Sequence, residues 1–215
     1  MTPGMKEWMD RLFSGPATTD FSEPRLVELD EFCWPDAATL VRLTEVFESP
    51  AALLAPYPDG SVDRAFWDLL GGDVMVAVQR ESIEWAIRLR FIRSFETLFR
   101  ELFAVRCQPV LGHVSEEGSP LNSSCYMWWD FDCWTAWPAR LTRNPLDSAF
   151  LASMRSILAI DHVACQESAL HGLGHWHREH PEEVESIIDE FIKRESDLRK
   201  ELREYADRAR SGHVL

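Results

Sequence analysis

Glu167, His171 and His175 follow one another at intervals of four residues. On a helix, at about 100° per residue, such spacing sets them along one ridge. Two imidazoles four apart can share one metal ion, and a zinc site of that kind takes a third ligand from another element. Asp130, Asp132 and His113 are the candidates for that third position. Cys165 falls on the opposite side of the same helix and does not join them. The plainer account of the ridge is packing: Glu167 pairs with His171, Gly172 and Gly174 let a neighbouring helix approach, and His175 and Trp176 close the contact. That account is favoured, so no metal and no other cofactor is assigned. A metal-dependent or small-molecule enzyme centred on Glu167, His171 and His175 is the alternative.

These residues need a helix to hold them, and the periodicity supplies one. Residues 145–176 read as two helices joined by a tight corner, with Asp161 placed to cap the second. Upstream, Pro35 and Asp36 suit a helix start before Leu40, Leu43, Val46 and Phe47. Residues 82–105 carry a long apolar stripe. Pro181, with Glu182 and Glu183 in the first turn, opens a last helix predicted to run to Tyr205. Residues 108–123 are the longest irregular stretch, of a length often functional or mobile, and Ser123 or Ser124 is placed to cap the aromatic block that follows. No segment alternates with period two. The fold class is therefore all-α, and 215 residues with one continuous hydrophobic pattern call for a single domain, residues 1–215.

Residues 35–72 and 145–174 share the order helix, corner, helix, which suggests stacked helical hairpins. The Ala-Leu-x-x-Leu-Gly ending at Ala169 to Gly174 resembles HEAT-like helical-repeat proteins, which implies an α-α superhelix. The runs Cys165 to Trp176 and Leu121 to Trp129 also resemble a bacterial protein family that brings no known activity with it.

A net charge of -14 argues against nucleic acid and anionic membranes as partners. The excess is concentrated in residues 1–73, where 5 basic and 14 acidic residues leave a balance of -9. A basic protein is the partner this suggests. The leading expectation is a non-catalytic protein-binding module, in one version an immunity or inhibitor protein covering a basic toxin or nuclease. Glu28, Asp30, Glu31 and Glu45 are its candidate contacts. Trp128 and Trp129 are candidates for an aromatic groove, although core packing is the favoured account of that block.

Five cysteines, an odd number with no Cys-x-x-Cys pair, fit a reducing compartment. The first fifteen residues lack the continuous apolar run of a signal peptide, so a cytoplasmic protein is expected. Phosphate-loop, nucleophile-elbow, His-Glu-x-x-His and dinucleotide fingerprints are all missing from the sequence.

Overall fold

A computed structural model describes residues 4–15, 36–70, 73–130, 145–195 and 197–214. The described residues are helical with no strand. In chain order the helices are α1 (Met5–Phe13), α2 (Ala37–Glu48), α3 (Pro50–Leu53), α4 (Asp59–Leu70), α5 (Trp85–Leu98), α6 (Pro120–Tyr126), α7 (Pro145–Leu158), α8 (Val163–Trp176), α9 (Pro181–Arg194) and α10 (Lys200–Ala209). No helix of the described residues is long and apolar enough to cross a membrane.

Several starts follow the residue chemistry. The Asp36 carboxylate accepts from the Thr39 amide at 2.8 Å and caps α2. Pro181 opens α9 with Glu182 and Glu183 behind it, where the helix dipole favours acid. Other boundaries differ from expectation. The helix before the aromatic block starts at Pro120, capped by Ser119 in a reciprocal box with Asn122, and not at Ser123 or Ser124. His162, not Asp161, is the residue preceding α8. The last predicted helix is two helices: α9 stops at Arg194 and α10 restarts at Lys200.

The packing order is unlike the chain order. α2 lies along α5, α5 along α7, α7 along α8, and α4 along α6. α8 is the centre, touched by α6, α7, α9 and α10. It is buried on nearly every side, from Ala164 to Gly174 without interruption. A helix enclosed all round should be apolar all round. Glu167 at 1% exposure and His171 at 0% therefore require partners, because buried ionisable groups are stable only when paired or hydrogen-bonded.

The core is built on rings. Trp128 is fully buried and meets Phe47, Phe66, Phe95, Phe99 and Phe103 at centroid distances between 5.4 and 5.8 Å, all five steeply inclined to its plane. Edge-to-face contact of this kind adds about 0.5–1.5 kcal/mol per pair beyond area burial. α5 continues through a π-helical turn, Phe99–Phe103, into a final α turn, Ala104–Arg106. The π turn supplies two of the five rings, and Arg106 then bonds Asp59, the Leu54 carbonyl at 3.2 Å and the Tyr57 carbonyl at 2.8 Å.

Asp63 on α4 is another buried acid, at 0% exposure. One oxygen accepts from the Ser124 amide at 3.1 Å and hydroxyl at 2.5 Å, while the other has no partner. Burial pushes its pKa from 3.8 up to about 6, with the Ser124 hydrogen bonds opposing the rise. The folded value lies above the unfolded one, so the favourable contribution is complete below pH 4 and is lost as pH rises through about 6. A rise of about two units corresponds to on the order of 3 kcal/mol. Urea titrations should show Asp63→Asn removing a downward slope in stability between pH 4 and 6.5. An unchanged slope would exclude Asp63 as its source.

Candidate metal centre

The corner from α6 to the end of the described segment decides where Asp130 falls. After Tyr126 the chain tightens into a 3-10 turn, Met127–Trp129, which sends Trp128 into the phenylalanine cage and Trp129 onto α8. The seat of Trp129 is Gly172: a Cβ there would stand 2.6 Å from the indole ring, too close for any side chain. Gly174, two residues on, makes the same room for Val214. With both indoles fixed, the next residue, Asp130, reaches the ridge of α8.

There its Oδ1 lies 2.6 Å from His171 Nε2 and 2.6 Å from His175 Nε2, and the two nitrogens are 3.1 Å apart. Among the described residues this is the group whose ligand atoms all fall within 4.8 Å of one another. His171 is enclosed, while the His175 side chain is 28% exposed and that of Asp130 21%, so the cluster opens to solvent on one side. Burial would raise the Asp130 pKa, but hydrogen bonds from His171 and His175 outweigh it and lower the value to about 2. The carboxylate is therefore charged at neutral pH.

Behind the ligands stands a second layer. His171 Nδ1 meets the Tyr205 hydroxyl at 2.5 Å, and the two rings are parallel within 3°. Tyr205 comes from α10, and Tyr126 approaches its hydroxyl at 3.4 Å. Burial holds the Tyr205 hydroxyl well above its ordinary pKa, so it stays protonated. An imidazole that binds a cation through one nitrogen usually engages a fixed partner through the other, which sets its tautomer and orientation.

Glu167 does not share in this cluster. Its carboxylate accepts from the Gly112 amide at 2.7 Å and the His113 amide at 2.9 Å, and meets His113 Nδ1 at 2.5 Å. His113 in turn stacks on Tyr205, at 4.3 Å between centroids. Glu167 thus fastens the 108–119 connection to α8 and is a clamp, neither paired with His171 nor a ligand. The connection is further held by Arg199 on Glu116 and by Glu116 on the Leu111 amide.

The remaining candidates separate. Trp128 and Trp129 are both 0% exposed, so these two rings belong to the core and line no groove. Asp132 lies outside the described residues, as do Glu28, Asp30 and Glu31. Glu45 lies on α2, half-buried, where its charge acts on Arg90, the partner of Glu48. His177 and His180 stand at the junction of α8 and α9, and His180 stacks on Trp176. Asp130 was legible as one of three third-ligand candidates; Tyr205 carried no sequence signal, since it is 34 residues from its partner on a separate helix.

No protein-family model matches the chain, and no curated protein or solved structure does either.

Proposed function

We propose that the protein binds a divalent first-row transition metal through Asp130 Oδ1, His171 Nε2 and His175 Nε2, and that this metal carries a Lewis-acid or hydrolytic activity. The observation that carries the reading is the convergence of two imidazole nitrogens on one carboxylate oxygen. Two ring nitrogens 3.1 Å apart cannot both donate to that oxygen without setting their protons against each other. A cation between three lone pairs removes the conflict. A tetrahedral zinc ion separates its ligand atoms by about 3.3 Å, so the histidine pair is already near that spacing and the carboxylate oxygen has about 0.7 Å to withdraw. Three protein ligands with one open side leave room for water, the arrangement of catalytic and not of structural zinc. Two imidazoles and a carboxylate also suit iron(II), manganese or cobalt, and the lack of thiolate disfavours copper(I).

Elemental analysis of the purified full chain should find one equivalent of a transition metal, and metal-stripped protein should take up one equivalent of zinc in a calorimetric titration. A stripped protein that gives no heat with zinc would end this reading.

The acidic balance of residues 1–73 favours a second role that needs no metal. In that role a HEAT-like pile of helix pairs presents negative charge to a basic protein, as an immunity or inhibitor protein would.

A further inference from the structure

An imidazole ligates through a lone pair, so His171 can hold a cation at Nε2 only with its own proton on Nδ1. That N–H then donates across 2.5 Å to the Tyr205 oxygen. The Tyr205 hydroxyl proton must in turn point away from His171 and find another acceptor, because Tyr205 is 2% exposed and a buried donor left unpaired is costly. Among the described residues, the one other group bonded to that hydroxyl is the Tyr126 hydroxyl, at 3.4 Å.

Both rings are held where this contact needs them. Tyr205 carries the His113 ring at 4.3 Å and the Arg208 guanidinium at 5.2 Å from its centre. Tyr126, the last residue of α6, lies with its ring 4.8 Å from that of His171. Gly112 packs against it so closely that a Cβ there would stand 3.1 Å from the ring. Tyr126 is half-buried, the most exposed member of the chain from His171 through Tyr205.

We propose that Tyr126 is a positioning residue for the metal centre: by accepting a hydrogen bond from Tyr205 it turns a lone pair of the Tyr205 oxygen to His171 Nδ1 and selects the tautomer that frees Nε2 for the cation. The proposal rests on the metal-binding reading above.

In metal-free protein the chain runs the other way. Tyr205 donates to Nδ1, and Nε2–H donates to the Asp130 carboxylate at 2.6 Å. The protons balance. Each arrangement holds one on the imidazole and one on each hydroxyl, so neither the ring nor a hydroxyl changes its charge. On metal binding Nε2 gives its proton to water, Tyr205 passes its own to Nδ1 and takes that of Tyr126, and Tyr126 is reprotonated from water. Only the metal-bound arrangement needs Tyr126 as an acceptor.

The test is a pair of measurements on the full chain. With histidine labelled with nitrogen-15, two-bond proton–nitrogen spectra should show His171 of the wild type protonated on Nε2 in chelator and on Nδ1 with one equivalent of zinc. A packing role for Tyr126 would not move that signature. In Tyr126→Phe, which keeps the ring against His171 and Gly112, calorimetric zinc affinity should fall at least about fivefold, the equivalent of about 1 kcal/mol for one unpaired buried donor. Its melts in chelator should stay close to wild type. Tyr205→Phe, which removes the acceptor itself, should lose about 10–100-fold. Equal zinc affinity in wild type and Tyr126→Phe, or His171 protonated on the same nitrogen in both states, would overturn the proposal. A wild type that takes up no zinc would instead end the metal reading on which it stands. The wild-type spectra decide even where a variant fails to fold.

Discussion

Replacing His175 with alanine is expected to lower zinc affinity by at least about 100-fold while leaving the metal-free protein close to wild-type stability. The first half of that expectation follows from coordination. Loss of an outer partner of a metal ligand typically costs 10–100-fold, and loss of a ligand itself costs no less. The second half follows from position. His175 is the partly exposed member of the cluster and lies in the last turn of α8, so its removal opens no sealed cavity. Asp130→Asn should show the same loss of affinity, since the amide keeps the shape but supplies no charge. His171→Ala is the poorer test, because that ring is fully enclosed and bonded to Tyr205. Glu167→Gln provides the contrast: its oxygens are occupied by Gly112 and His113, so zinc affinity should change little. Isothermal titration with zinc alone, beside thermal melts in a chelator, reads both quantities. Equal affinity in wild type and His175→Ala would remove His175 from the ligand set.

The largest stability effect is expected at Trp128. Truncation to alanine should cost about 3–5 kcal/mol, the range for emptying a large aromatic site in a sealed core. The five surrounding phenylalanines come from α2, α4, α5 and the π turn, and no one of them can move in without leaving another unsupported. Trp128→Phe should be much milder. It leaves a smaller void and also removes an indole N–H that is buried with no hydrogen-bond partner, a group that itself costs about 1–3 kcal/mol. Chemical denaturation of the two variants would order them. Comparable losses would mean that the cage tolerates no vacancy of any size. A separate consequence concerns Asp130, which is two residues beyond Trp128: a core that slackens in the alanine variant should weaken zinc binding although no ligand has been touched.

What the sequence disclosed and what it withheld divide along a physical line. The cap at Asp36, the start at Pro181 and the shared ridge of His171 and His175 are local properties, determined by residues within one or two turns. The placing of Cys165 on the opposite side of α8 was legible for the same reason. The end of α9 at Arg194 was less so, because the apolar spacing of Ile188, Phe191, Leu198 and Leu202 continues across the break. The role of Glu167 was not legible because its partners, the amides of Gly112 and His113 and the His113 ring, lie 54 and 55 residues away, beyond the reach of helical spacing. Core packing was the favoured account of Trp128 and Trp129, and it took the positions of phenylalanines on α2, α4 and the α5 rod to set it above a surface groove. Asp130 could be named but not placed until the tight turn after Tyr126 was known.

The widened turn at Phe99–Phe103 gives α5 two rotational phases along one continuous rod. Before it, the helix shows its apolar seam to α2 and α7; within it, the seam has swung toward α3 and α6. A strictly regular helix would have met one pair of neighbours or the other. By carrying one surplus residue in a single winding, the chain spans both halves of the molecule with one backbone segment and needs no loop to turn the corner.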